Sequence, residues 1–427
     1  MNNLKGRLSH MQASILTTLF LLFLGTNAIV RIWLAQRQIR HVQAHRDAVP
    51  DEFADRISLR SHQRAADYTT ERTRLRIMES VFDVGVLLVL TMGGLLGAIY
   101  SAIDGWFAST LLRDIAVIGG VVLLLGVLHM PFTLYRQFGL EQKYGFNRMT
   151  PKLFVIDSVK GLVVGAVLGL PLLALILWLM NSAGTAWWIW AWASWAAFNF
   201  AVMLIFPTWI APLFNKFTPL QDVALKDRID ALAKRCDFAI QGLFVMDGSK
   251  RSAHGNAYFT GFGKSRRIVF FDTLLSKLSP TEIEAVLAHE LGHFKHKHIV
   301  KRLAMSLVGS LLMFALLGWL SQQPWFFTGL GVAPLANGNN GMALLLFFLV
   351  MPVFTFMLTP LTSWLSRRDE FEADRFAASQ SQASDLVSAL VKLFNDNAAT
   401  LTPDPVHTAF YDSHPPATIR IQALSAA

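Results

Sequence analysis

His289-Glu290-Leu291-Gly292-His293 sets two imidazoles and one carboxylate at a spacing that can hold a metal and hydrolyse a bond. On a helix, residues four apart share a face, so His289 and His293 can both aim a ring nitrogen at one ion about 2.0–2.1 Å away. Glu290 lies one residue round the helix, near that ion without being forced to ligate it. This suits a general base in metal-assisted hydrolysis. The local sequence predicts the helix itself. Ser279 reads as N-cap, Pro280 as the first helical residue and Glu282 as the partner completing a capping box. No breaker follows before about His298, and Ala285-Val286-Leu287-Ala288 gives the helix a face to bury. Two surface histidines on a charged helix are the plain alternative; the cap and the apolar run count against it.

A catalytic zinc usually takes three protein ligands and keeps one position open. His296 and His298 are nearest in sequence, but both read as the end of the metal helix, where the dipole favours cations. A carboxylate is the better candidate. The stretch Arg367-Arg368-Asp369-Glu370-Phe371-Glu372-Ala373-Asp374 puts Glu370 and Asp374 four apart. One helix face can then offer Glu370 to the metal and Asp374 to a ligand histidine. Spacing leaves Glu370 and Glu372 as alternatives, and an acid-rich helix start is also an ordinary solvated face. Cys236 is the only cysteine, so there is no disulfide framework and no cysteine-based metal site; it reads as a buried, inert thiol. His129, alone in an apolar stretch, reads as a hydrogen-bonded packing residue.

These groups must be positioned by a protein built for lipid. Of its 427 residues, 53% are hydrophobic and 16% charged, against about 25% charged in a soluble domain. Seven apolar stretches approach the length of about 20 residues that a bilayer requires. They are Ile15–Leu34, Val84–Tyr100, Ile115–Tyr135, Leu162–Met180, Trp187–Ile210, Leu303–Leu320 and Met342–Leu365. The first exceeds a signal-peptide core and lacks a small-residue cleavage site, so it reads as a retained span. Net charge is +9, with lysine and arginine concentrated in Ala35–Ser80, Arg136–Lys160 and Asn215–Arg302. Asn181–Ala186 and Ser321–Gly341 carry no charge. The positive-inside rule puts the basic loops and the C-terminus in the cytoplasm. An odd number of spans then leaves the N-terminus outside, against the weak signal of Lys5 and Arg7. Acids such as Asp51, Glu52 and Glu71 interleave with the arginines, and no nucleic-acid motif accompanies them. The basic loops read as solvated faces near anionic membrane lipid, with no nucleic-acid partner.

The chain divides into five spans over residues 1–211 with a basic loop at 35–80, and a polar catalytic segment over 212–302. Two spans follow over 303–365, and then a polar C-terminal part over 366–427. Within the polar segment, Gln221–Cys236 has helical spacing. Leu243–Met246, Asn256–Thr260 closed by Gly261, and Ile268–Phe271 read as short strands. Gly161, Gly165 and Gly169 form a small-residue ladder for close helix packing. Five tryptophans in Trp187–Trp195 read as an interfacial aromatic belt.

The chain resembles the type-1 CAAX prenyl endopeptidases, a family of integral-membrane zinc proteases. The resemblance rests on Tyr144-Gly145-Phe146-Asn147, on Ile210-Ala211-Pro212-Leu213-Phe214-Asn215-Lys216-Phe217-Thr218-Pro219-Leu220, and on the block from Asp247 to Gly261. The metal helix and Ser366–Asp374 also match, as does His414-Pro415-Pro416 followed by Arg420. It implies a mainly α-helical polytopic membrane protein, seven transmembrane helices with a small α/β, gluzincin-like zinc-protease domain. It implies one Zn2+ per chain on His289, His293 and Glu370, with Glu290 as base and Asp374 behind the ligands. His414 and Arg420 stabilise the oxyanion in that family. The resemblance also implies that the strand Asn256, Ala257 and Tyr258 binds substrate backbone by strand addition, which an open sheet edge favours. The substrate implied is a peptide or protein, prenylated in the family, and the bundle encloses a large water-filled chamber. Two departures mark a compact member: the uncharged loops are short, and the segment after the metal helix lacks the long insertion of the larger eukaryotic members. The location implied is a bacterial inner membrane or the endoplasmic reticulum.

Two other readings compete. A membrane quality-control protease of the heat-shock metalloprotease type shares the metal helix but usually has about four spans. A non-catalytic zinc-binding scaffold would close its site with four protein ligands and has no need of Glu290.

Overall fold

Backbone polar groups have no water to bond in a bilayer core, so apolar runs of this length fold as helices. The computed structural model describes residues 2–260, 266–333 and 338–426. Gly261 and part of the uncharged Ser321–Gly341 loop lie outside the described residues. Among the described residues, six helices are long and apolar enough to cross a membrane: Gly6–Ala44, Thr110–Glu141, Pro151–Ser182, Gly184–Phe214, His298–Leu320 and Asn340–Gln380. They carry six of the seven anticipated stretches. The seventh, Val84–Tyr100, is not one straight helix. Leu59–Leu90 stops at a turn and Leu95–Asp104 resumes with a 52° bend. Gly94 sits in the turn at φ +75°, and a Cβ on Gly93 would meet the Val89 carbonyl oxygen at 2.7 Å. The count is therefore six, or seven if the bent pair is one span.

Two of the long helices run past the bilayer and carry functional residues with them. Asn2–Ala44, 43 residues, spans roughly 65 Å, about twice the hydrocarbon core. Its far end grips the C-terminal part of the chain. Arg37 donates from Nε and Nη2 to the Asp404 carboxylate at 3.2 and 2.9 Å, and the Asp404 backbone N–H donates to Gln38 Oε1 at 2.7 Å. The apolar window of Asn340–Gln380 is 56% buried, against 6–22% in the other five, so this helix runs inside the bundle. Its last segment, Thr359–Gln380, bears Glu370 and Asp374.

Among the described residues, the polar segment forms a four-stranded sheet of β1 (Phe217–Pro219), β2 (Gly242–Met246), β3 (Ala257–Thr260) and β4 (Arg267–Phe271). Its order is β1-β2-β4-β3, with β2 and β4 parallel and both outer pairs antiparallel. β3 is an edge strand, registered on β4 from Ala257 opposite Phe270 to Thr260 opposite Arg267. The three anticipated strands are present. β1 is three residues long and ends in proline, which an edge position tolerates. The anticipated Gln221–Cys236 helix spans Val223–Arg235, with Asp222 as N-cap accepting the Leu225 N–H at 2.9 Å.

The metal helix covers Pro280–Lys295 and carries the capping box. It ends short of His298, because Lys297 turns left-handed at φ +57° and His298 opens the helix to Leu320. Ala285, Leu287, Ala288 and Leu291 pack it against Ile268 and Phe270 of the sheet and against Ala377, Leu386 and Leu390. Each fully buried leucine contributes about 1.5–3 kcal/mol, enough together to fix the helix on its platform.

Other expectations change. The glycine ladder is exposed, with nothing within 4 Å of a Cβ at Gly161, Gly165 or Gly169, so among the described residues it packs no helix. Of the tryptophans, Trp187 is buried, while Trp188, Trp192 and Trp195 pack against the membrane core; only Trp190 is strongly exposed, so the group is mainly packing rather than a belt. His129 Nε2 lies 3.2 Å from Asp83 Oδ1, a polar pair as anticipated. Cys236 is half-buried, and burial pushes its thiol up.

Candidate active site

Gly292 decides how the site assembles. A Cβ there would stand 2.9 Å from Ala373 Cα and 3.1 Å from its carbonyl oxygen. Only glycine lets the metal helix and the Thr359–Gln380 helix cross this closely. The crossing brings Glu370 to both histidines: His289 Nε2 is 3.4 Å from Glu370 Oε2, and His293 Nε2 is 3.4 Å from Glu370 Oε1. His289 and Glu370 are buried, and His293 half-buried.

This arrangement fits a metal ion. Three ligand atoms, one from each residue, lie within 4.8 Å of one another. Ligands about 2.0–2.1 Å from a tetrahedral ion stand roughly 3.3–3.4 Å apart, which is the separation between each imidazole and Glu370. Glu370 Oε2 is buried without a hydrogen-bond partner, and a cation supplies what it lacks. Glu372, the alternative that spacing left open, points elsewhere. Glu290 is half-buried and, among the described residues, makes no hydrogen bond or ion pair. Its carboxylate is free to take a proton.

Behind His289 stands a second carboxylate. Asp374 Oδ1 is 2.8 Å from His289 Nδ1, and Arg420 holds Asp374 with Nε at 2.8 Å and Nη2 at 2.6 Å. Burial lowers the His289 pKa, but hydrogen bonds to Asp374 and Glu370 outweigh it and carry it to about 9. The Arg420 guanidinium is itself buried, with Nη1 3.8 Å from Glu370 Oε2. It faces the backs of the carboxylates rather than the open side. His293 is held differently. Its Nδ1 lies 3.0 Å from His298 Nδ1, and His298 Nε2 lies 3.1 Å from Glu372 Oε2. With His293 Nε2 turned to Glu370, each ring N–H can donate outward in sequence, His293 to His298 and His298 to Glu372. Sequence reasoning missed His298, which is 0% exposed; read as a helix end it belonged in solvent. His296 does remain exposed.

His414 stands on the open side, its side chain 62% exposed and Nε2 3.4 Å from Glu370 Oε1. Asn256 is exposed at the start of β3, its Oδ1 accepting the Ala257 N–H at 2.8 Å. Ala257 and Tyr258 follow on the sheet edge, with the Tyr258 ring edge-on to Phe271. Both Asn256 and His414 line a cavity of about 900 Å3. A second cavity of about 450 Å3 lies at the other end of β3, between Tyr258, Phe259 and Thr260 and apolar side chains such as Trp195 and Phe200. Sequence blocks far apart converge beside the site. Arg251 donates to Asp157 at 2.8 and 3.1 Å and to Asn215 at 2.9 Å, while Asn147 bridges to Ser252.

Comparison with known proteins covers both halves of the chain. A family model described as CAAX prenyl protease N-terminal, five membrane helices, matches residues 38–216, and one for peptidase family M48 matches residues 219–427. The CAAX prenyl protease 1 homolog of Mus musculus is 32% identical over 95% of this chain and 94% of its own. CAAX prenyl protease 1 of Saccharomyces cerevisiae is 32% identical over 88% of each chain. The crystal structure of S. mikatae Ste24p superposes with a TM-score of 0.90 at 29% identity, covering 96% of this chain and 99% of that one.

Proposed function

This chain belongs to the type-1 CAAX prenyl endopeptidase family within peptidase family M48, and we propose on that premise that it is a zinc enzyme cutting prenylated C-terminal peptides at the cytoplasmic membrane surface. It is a multi-pass integral membrane metalloendopeptidase, acting on a peptide or protein. The observation that carries the finer reading is the pair of imidazoles 3.4 Å from the Glu370 carboxylate, with Glu290 left free beside them. Two imidazoles and a carboxylate suit zinc, and zinc, when bound, supplies Lewis acidity toward water and the scissile carbonyl.

The chain's own groups do the rest. The outer edge of β3 along Asn256, Ala257 and Tyr258 receives an extended peptide by strand addition, with Asn256 beside the scissile residue. Glu290 takes the proton from the attacking water and returns it to the leaving amine. His414, on the open side, donates Nε2–H to the developing oxyanion. Arg420 adds positive charge from behind and keeps Asp374 on His289. Among the described residues only three groups converge as ligands, which leaves a position open, as catalysis needs and a structural site does not. The quality-control reading is not favoured, because the relatives matched across both halves carry the CAAX prenyl protease name.

The test is cleavage of farnesylated and unmodified peptides of one sequence by the purified protein, with chelator and with zinc restored. Zinc-dependent cleavage favouring the farnesylated peptide is the expected result. Equal cleavage of both removes the lipid from the substrate, and chelator-resistant cleavage removes the metal mechanism.

A further inference from the structure

The cavity that reaches His414 and Asn256 carries an unbalanced charge. Arg72 and Arg76 enter its wall from the Leu59–Leu90 helix, four apart and therefore on one face. Arg76 is half-buried and, among the described residues, makes no hydrogen bond or ion pair. Arg72 lies over the Tyr68 ring at 5.9 Å, with no described carboxylate in ion-pairing range. The nearby acids are turned to other partners or stand beyond ion-pair distance. Glu141 is engaged by the Tyr68 hydroxyl at 2.5 Å and lies 3.5 Å from His254. Asp412 shares the wall but makes no direct ion pair with either arginine. His407, also on the wall, is 6% exposed with Nδ1 unpartnered. Burial and the Arg76 charge push its imidazole down to about 4, so it adds no charge at neutral pH.

Two guanidinium groups facing a half-enclosed cavity, with no described carboxylate in direct ion-pair contact with either, favour an anionic occupant. The cavity opens beside the Gly255–Asn256 end of β3, while the cavity at the Thr260 end is apolar. A peptide laid along that edge thus has one end among cations and the other among apolar side chains. An unmodified chain end supplies one anion of the right kind, a carboxylate that arginine can meet with two parallel N–H bonds. We infer that Arg72 and Arg76 form a subsite for the free C-terminal carboxylate of the peptide substrate, so that the enzyme measures its cut from the chain end. This rests on the protease reading above.

The experiment uses the full-length enzyme and two peptides of one sequence, one ending in a free acid and one in a carboxamide. The free acid should show a KM lower by about tenfold or more, the scale of a charge-assisted bidentate contact. Arg76→Gln and Arg72→Gln should collapse that ratio toward unity, and Arg76→Lys should restore part of it. Equal KM for both peptides in the unaltered enzyme overturns the subsite while leaving the protease reading intact. So does a ratio that survives both glutamine substitutions. Failure to cleave either peptide in a metal-dependent way removes the protease reading and the subsite with it.

Discussion

His298 Nδ1 stands 3.0 Å from His293 Nδ1, and the far side of the same ring meets Glu372 at 3.1 Å. The ring is wholly buried, so it holds His293 in one orientation and one tautomer. Replacing His298 with alanine should weaken zinc binding by about 10–100-fold. Chelator competition measures this without reference to turnover. An unchanged zinc affinity in a folded variant contradicts the role.

Gly292 tests the helix crossing. Alanine there must push on the backbone of Ala373, which no rotamer can relieve. Such overpacking costs about 1–3 kcal/mol, and it moves Glu370 away from both histidines. Gly292→Ala should therefore lower thermal stability and zinc content together. Loss of stability with a full complement of zinc would show that the crossing can shift without disturbing the site.

Glu282 makes the metal helix pH-sensitive from its N-terminus. Its carboxylate accepts the Ser279 N–H at 2.7 Å, Ser388 Oγ–H at 2.7 Å and Lys392 at 2.8 Å. Burial raises its pKa, but the bonds from Lys392 and Ser388 outweigh this and hold it below the ordinary 4.5. A depressed folded pKa means stabilisation is present above the unfolded value and fades as pH falls through the folded one. Glu282→Gln should cost about 2 kcal/mol near neutral pH, and the gap should shrink on acidification below the ordinary carboxylate range. Thermal unfolding in detergent across that window checks it; a constant gap means that ionisation is not the source.

The parts of this site written in short-range chemistry were legible in the chain. The capping box, the His289–His293 face and the Glu370–Asp374 face each need only a helix, and the helices formed where the residues dictated. What was hidden depended on backbone events between elements. Glu370 and Glu372 differ by two residues, and only the Gly292–Ala373 contact decides which one faces the metal helix. His298 looked like a helix end because nothing local forces Lys297 into a left-handed turn. Hydropathy saw Val84–Tyr100 as one run, since it is blind to the bend at Gly93 and Gly94. The spacing of Gly161, Gly165 and Gly169 suits a packed helix, but no helix among the described residues packs on them.

The central claim is that Glu290 moves the proton in a site where His289, His293 and Glu370 hold the metal. Glu290→Gln keeps the shape of the side chain and removes its basicity. The variant should retain its zinc and lose about 10²–10⁴ in turnover of a farnesylated peptide. Cleavage at the unaltered rate with zinc still bound would contradict the account.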